Sequence, residues 1–419
     1  MSKRTIALIV ILALVSVWLR NEALFLVSIL WALVAGAAYL WTRYCLAEVT
    51  YRRRFGSTRL YLGEVTELAV EIVNAKPLPL PWLRADDATG RPRFDDVHPV
   101  PAGLHIASQQ VEEQPQAGGT QRHLVNVLSL RWYERVTRRY RLQGLQRGAW
   151  PFSGVHLRSG DIFGFNIQRA VLESDDYVLV YPRIVPVTAL GLPARHPLGE
   201  LRNQRRVIED PLRVMGVRSY TQGDNYRYIH WKATARRQEL QTKVFEPSAS
   251  RPVAIFLNIN TTEMFFQGYD WELREYAITV AASLASHLWS DGHPLGLYCN
   301  ALTPGTAQHI RLRPQAHPGQ LEALLGALAR IEEGWGRWPL ERLLQLEATN
   351  LPYGTTVVAI SGVVSPRLIQ TLHDLRQRGF GVYLLTLGEA RLPAPIPNLP
   401  YHHIDGNEAW HEVATLELA

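Results

Sequence analysis

The chain has two cysteines in 419 residues, Cys45 and Cys299, and no CxxC pair. Zinc-ribbon and thioredoxin-like frameworks are therefore excluded, as is a disulfide scaffold, and the usage fits a reducing compartment. A P-loop, an HExxH helix, a G-x-S-x-G elbow and a Gly-rich dinucleotide loop opening a helix are also missing. The common devices for phosphate, zinc and acyl-transfer chemistry are thus absent. The charge imbalance is small: charged residues make up 20% and the formal net charge is +6. So mild an excess permits attraction to nucleic acid or anionic lipid without demanding either. The basic runs Arg52-Arg53-Arg54 and Arg202 to Arg206 are short and read as solvated surface or membrane flank.

Apolar sequence, by contrast, is plentiful at 47%, with 10% aromatic, and the length allows about three domains. Thr5 to Leu19 is almost uninterruptedly apolar, Arg20-Asn21-Glu22 breaks the run, and Ala23 to Trp41 is apolar again. The second run spans about 28 Å as a helix, close to a bilayer core. No small-x-small cleavage site follows the first run, so residues 1–47 read as a transmembrane helical hairpin rather than a cleaved signal. Lys3 and Arg4 precede it and Arg43, Arg52, Arg53 and Arg54 follow it. An excess of positive charge marks the cytoplasmic side, so both termini and the soluble body are expected in the cytoplasm.

Residues 48–190 predict an antiparallel β-sandwich. Leu68, Val70 and Ile72 alternate onto one face, "RYRLQGLQRGAWPF" and "YVLVYP" are strand-like, and turns carry Gly or Pro. Pro77, Pro79 and Pro81 suit an extended edge or loop, and His98 to Gln121, rich in Gln, Gly and Pro, predicts a long loop.

Residues 191–250 read as a linker carrying the run "VRSYTQGDNYRYIHWKATARR", Val217 to Arg237. Gly223 supplies a left-handed turn, and Asp224 is placed to cap a helix ending near Arg236-Arg237. On that helix Tyr226, Ile229 and Ala233 share a face; Arg227, His230 and Thr234 share another. "ELQTKVFEP" then alternates as a strand.

Residues 251–419 alternate β and α: strands "RPVAIFLNIN", "PLGLYCN", "TTVVAISG" and "GVYLLTLG" are separated by helical spacings, which predicts a doubly wound sheet. The crevice at the strand ends, near Asn258, Asn260, Thr262 and Ser361, is the default binding site of that topology. His402, His403 and Asp405 offer metal donors, but adjacent strand histidines point to opposite faces, so no metal is expected there.

The run 217–246 resembles the signature of the bacterial family called domain of unknown function fifty-eight. It matches at Arg218, Tyr220, Gly223, Asp224, Arg227, Ile229, Trp231, Ala235, Arg236 and Glu246. "NAKPLPLPWL", "RGAWPFSGVHLRSGDIFGF" and the paired N-terminal helices are similar to the family as well. The resemblance implies a MoxR-type AAA+ ATPase and other von Willebrand A-like proteins as partners; no catalytic residues come with it. The C-terminal domain resembles a von Willebrand A-like domain, whose first strand ends in a metal-binding D-x-S-x-S. Here Asn258-Ile-Asn260-Thr-Thr262 replaces it, and neutral Asn258 in place of the carboxylate leaves a divalent ion unexpected.

The combined expectation is an α+β multidomain protein: a transmembrane hairpin, a β-sandwich and a von Willebrand A-like α/β domain. Its expected role is a scaffold in the inner membrane of a bacterium, without catalysis, cofactor or nucleic-acid partner. Within it Arg218, Tyr220, Gly223, Asp224, Arg227, Trp231 and Arg236 form a structural clasp, with the Trp231 indole buried in a join between domains. Two alternatives remain: a hydrolase using Asp224 and His230, and an anion or nucleic-acid binder using Arg218, Arg227, Arg236 and Arg237.

Overall fold

The computed structural model describes residues 3–93, 104–106, 111–116, 119–162, 166–188, 209–221, 226–247, 251–268, 270–332, 334–392, 396, 399–404 and 416–417. The chain divides into two compact units, Met1–Pro182 and Arg183–Ala419.

The first unit opens with the helices Lys3–Trp18 and Glu22–Tyr44, the second capped by Asn21, whose side chain accepts from the Leu24 N–H at 3.2 Å. Glu22–Tyr44 is long and apolar enough to cross a membrane, with a mean hydropathy of 2.2 over its best window. Leu26, Leu30 and Leu33 on it are exposed, as lipid-facing residues are. The helix Lys3–Trp18 packs along it and is shorter, at 16 residues.

Two sheets follow. One has the strand order Val49–Phe55, Val65–Asn74, Arg135–Gly144, Leu104–Ile106, all antiparallel. The other runs Arg59–Leu60, Asp176–Val180, Gly148–Gly160, Leu80–Arg93, Gly119–Leu130, Val111–Gln116, with Ile167–Leu172 also paired to Gly148–Gly160. Alternation decides which residues turn inward: Leu68, Val70 and Ile72 from the first sheet meet Leu83, Ala85, Leu157 and Val178 from the second in one core. The expected face of Leu68, Val70 and Ile72 is the buried one. The expected long loop at 98–121 is corrected where it is described. Leu104–Ile106 and Val111–Gln116 are strands, because pairing to Arg135–Gly144 and to Gly119–Leu130 respectively satisfies the backbone groups of a Gln- and Gly-rich stretch as well as any other.

The sandwich holds a buried ion pair between its sheets. Arg53, on Val49–Phe55, meets Asp87, on Leu80–Arg93, through Nη2 to Oδ1 at 2.7 Å and Nε to Oδ2 at 3.0 Å. Tyr51 Oη donates to Asp87 Oδ2 at 2.6 Å. Both charged side chains are 1% exposed or less, so the fork geometry and the phenol compensate two desolvated charges.

The second unit is built on a six-stranded sheet ordered His309–Gln315, Leu295–Leu302, Val253–Leu257, Thr356–Ser361, Gly381–Leu387, Tyr401–Ile404. In chain order that is 3-2-1-4-5-6, parallel except for the edge strand His309–Gln315. All residues of Val253–Leu257, Thr356–Ser361 and Gly381–Leu387 are buried, as helices on both faces require. Those helices are Trp271–Ser290, Gln320–Ala329, Leu340–Glu347 and Pro366–Gln377. Asp270 caps the first through the N–H groups of Glu272 and Leu273, and Ser365 caps the last through that of Leu368. The sequence's alternating β and α thus folds as the doubly wound sheet it predicts.

Ahead of this sheet, Glu209–Ser219 and Gln241–Pro247 pair as a separate antiparallel hairpin, with the turn Tyr226–Tyr228 and the helix Trp231–Arg237 between them.

Candidate functional site

The order 3-2-1-4-5-6 has its switch point between Val253–Leu257 and Thr356–Ser361, and ligands of such sheets bind beyond the strand ends there. The sequence-predicted residues Asn258, Asn260 and Ser361 meet at that place. Asn258 Nδ2 donates to Ser361 Oγ at 2.9 Å. Asn258 Oδ1 accepts from Asn300 Nδ2 at 2.7 Å and from the Asn260 N–H at 3.1 Å. Asn300 Nδ2 also donates to the Trp338 carbonyl at 2.9 Å, and Asn260 Oδ1 accepts from the Gly336 N–H at 2.7 Å. Ser361 Oγ completes the set by donating to the Val363 carbonyl at 2.6 Å.

This crevice is filled. Asn258 and Asn260 are 5% and 7% exposed, and Asn300 and Ser361 are fully buried. The segment 336–338 lies directly on it, and a Cβ at Gly336 would come within 2.4 Å of Asn300 Nδ2. Thr262 stands apart: its Oγ1 donates within its own loop, to Met264 and Gly268 carbonyls.

The donor set does not suit a divalent metal. Asn258 presents a proton, not a lone pair, to Ser361, and its oxygen is already shared by two N–H groups. Among the described residues no group of three or more His, Cys, Asp and Glu is placed to hold a metal ion. Asn300 and Gly336 were not singled out from the sequence. Asn300 lies two residues before the end of the second strand and Asn258 directly follows the first, which is the signal that pairs them; Gly336 lies 76 residues from Asn260 and carries no such sign.

The signature run is built differently from its expectation. The helix begins at Trp231, not at Asp224, because Ile229 bridges to Thr242 and the His230 N–H donates to the Gln241 carbonyl at 2.8 Å, which ties residues 229–230 to the neighbouring strand and separates the turn Tyr226–Tyr228 from the helix. His230 is the cap: its Nδ1 accepts from the Ala233 N–H at 3.1 Å. Gly223 and Asp224 lie outside the described residues, and so does Asp405. The expected burial of Trp231 is also corrected. Its indole is 68% exposed, because the helix Trp231–Arg237 has no buried residue and touches its own hairpin through Ile229 and Thr234 instead. Tyr220 stacks on Tyr226 with ring centroids 5.7 Å apart. Arg218 donates to the Ser219 carbonyl and to Thr221, and Arg236 and Arg237 are exposed in the last turn. Arg227 falls in the turn Tyr226–Tyr228.

In the first unit a cavity of about 300 Å³ lies beside Tyr51, Arg53, Leu172 and Asp176. Its buried cation, Arg53, is already held by Asp87 and, at 3.2 Å, by Asp176. Burial holds the Asp87 carboxyl above its ordinary value, against the opposing pull of Arg53 and Tyr51. These groups hold the sandwich together.

Comparison with known proteins agrees with the signature residues. The chain is 26% identical over 256 residues to the uncharacterized protein YeaD of Bacillus subtilis, covering 61% of this chain and 56% of that protein. The chain thus spans just over half the length of that relative. Among solved structures, a CARDB domain from Pyrococcus furiosus in complex with di-metal ions is 12% identical, covering 32% of this chain and 91% of its own, with a TM-score of 0.18. A cohesin module from a Clostridium perfringens family 33 glycoside hydrolase is 12% identical, covering 32% and 95%, at 0.20. Likeness at those scores carries no argument. Residues 216–324, from the signature hairpin through the first three strands of the second sheet, match the model described as "Protein of unknown function DUF58", the family whose signature this stretch carries.

Proposed function

We propose that the protein is a membrane-anchored scaffold or adaptor without catalysis of its own. In this reading the paired helices Lys3–Trp18 and Glu22–Tyr44 cross the inner membrane of a bacterium as a hairpin. Both soluble units then lie in the cytoplasm, on the side of Arg43 and Arg52-Arg53-Arg54. The second unit is a von Willebrand A-like domain, a reading supported by the 3-2-1-4-5-6 order with its antiparallel third strand. It docks partner proteins, a MoxR-type AAA+ ATPase first and other von Willebrand A-like proteins after it, on the family resemblance. No nucleic acid and no cofactor enter this reading.

The observation that carries it is the filled switch-point crevice. Where a substrate or metal would sit, the chain's own amides and the segment 336–338 satisfy one another. A hydrolase built on Asp224 and His230 gains no support, since the His230 Nδ1 is spent on capping a helix.

The test is co-purification of the full chain, solubilised in mild detergent, with and without ATP. A scaffold brings down an ATPase whose retention changes with nucleotide. Recovery of the chain alone under both conditions, together with turnover of a generic ester or phosphoester, overturns the reading.

A further inference from the structure

Two stretches of the sandwich remain without a role: "NAKPLPLPWL" and the loop after Gly160. The structure brings them to one end of the first unit, the end from which Glu22–Tyr44 emerges. Cys45, Leu46 and Val49, directly after that helix, belong to the sandwich core. Thr42 Oγ1 donates to Asp161 Oδ2 at 3.3 Å, so the Asp161 loop is tied to the helix's last turn. The same Asp161 oxygen accepts from the Asn166 N–H at 2.8 Å. On the other side, the Ala75 N–H donates to the Glu48 carbonyl at 3.1 Å, and that of Tyr133 to the Lys76 carbonyl at 3.2 Å. Fully buried Asn74 donates through Nδ2 to the carbonyls of Arg131 (2.8 Å) and Leu78 (3.0 Å), locking the turn Arg131 to Glu134 against the proline-rich stretch.

What these braces hold outward is apolar. Trp132 is 66% exposed, Tyr133 68% and Ile162 64%. Tyr133 sits at φ +51°, a left-handed conformation that a bulky residue adopts only when its surroundings impose it. Glu48 is four residues past Tyr44, at most about 14 Å of chain, so the turn lies near the level at which the helix leaves the bilayer. Tyr and Trp favour that interface, with the ring in the acyl boundary and the polar edge in the headgroups.

We propose that the turn Arg131 to Glu134 and Ile162 form a second, interfacial membrane anchor. Trp132, Tyr133 and Ile162 insert shallowly into the headgroup layer of the bilayer that Glu22–Tyr44 crosses. The occupant is lipid because these residues are braced to the helix's own exit. The inference rests on the reading of Glu22–Tyr44 as a membrane span. Its consequence is positional: two contacts beside the helix fix the tilt of the sandwich, where a single helix would leave it free to swivel.

The test uses the full chain in lipid nanodiscs, carrying an environment-sensitive fluorophore on Trp132→Cys or Ile162→Cys. Cys45 and Cys299 are buried, and the unsubstituted protein measures their background labelling. Tyr177→Cys is the control, an exposed residue paired opposite Pro151, nine positions along the strand from Gly160. Leu33→Cys reports the span itself. With quenchers placed shallow in the acyl chains, the labels at 132 and 162 are expected to dim at least twofold more than that at 177, unaffected by protein dilution. Deep quenchers are expected to dim the label at 33. Quenching at 33 with none at 132 or 162 overturns the anchor and leaves the span standing. No quenching at 33 overturns the span, and the anchor with it. Shielding at 132 that vanishes on dilution assigns the patch to a second copy and overturns the lipid.

Discussion

Asn258 Nδ2 donates to Ser361 Oγ at 2.9 Å, joining the ends of the first and fourth strands at the switch point of the second sheet. The amide closes a crevice that this topology leaves open to ligands elsewhere. Replacing Asn258 with Ala removes the buried acceptor shared by one N–H of Asn300 Nδ2 and the Asn260 N–H, while Ser361 Oγ keeps its bonds to Val363. A loss of about 2–4 kcal/mol is expected, read from urea unfolding of the solubilised chain. Gly336→Ala is expected to be similarly costly, since its Cβ meets Asn300 and Asn260 below contact distance. Magnesium should leave the melting curve of the parent protein unmoved.

Trp231 gives the reverse expectation. Its indole is mostly exposed, so Trp231→Ala should change stability by no more than about 0.5 kcal/mol in the same urea experiment. His230→Ala, which removes the cap Nδ1, should cost about 1 kcal/mol although it is the smaller change in surface.

The Arg53–Asp87 pair lies between the two sheets of the sandwich with both side chains out of water. Asp87→Asn leaves a guanidinium buried beside a neutral amide, and a loss of about 3–5 kcal/mol is expected. Arg53→Met with Asp87→Leu removes both charges and should recover most of it, which denaturant curves of the single and double variants will measure.

Tyr298 is buried, stacks on Phe256 at 4.6 Å, and its hydroxyl has no hydrogen-bond partner among the described residues. Burial, helped by Glu347, pushes its pKa up from 10.0 to about 12. The folded state therefore holds this proton longer than the unfolded chain does. Stability is undiminished below pH 10 and falls, by an amount on the order of 2 kcal/mol, as pH rises to about 12. Tyr298→Phe should be neutral or slightly stabilising at pH 7 and should flatten this alkaline limb in stability measured against pH.

Local patterns were legible wherever a single period governed them. Leu68, Val70 and Ile72 announced their buried face by alternation, and the apolar run Ala23 to Trp41 announced a helix of spanning length. The signature run was legible as a family mark and misleading as a structure. Asp224 looked like the cap because caps are read from nearby residues, whereas the helix start is decided by the pairing of Ile229 with Thr242, 13 residues on.

The chain's own order of residues determined its elements, their alternation and the family signature at 216–324, because periodicity and turn chemistry act over a few residues. Tertiary structure alone decided which of these elements close on one another. Asn300 and Gly336 reach Asn258 and Asn260 from 42 and 76 residues away, and they turn an open strand-end crevice into a sealed one. Trp231 likewise became surface because burial depends on what the rest of the chain places over a residue, which no local pattern carries.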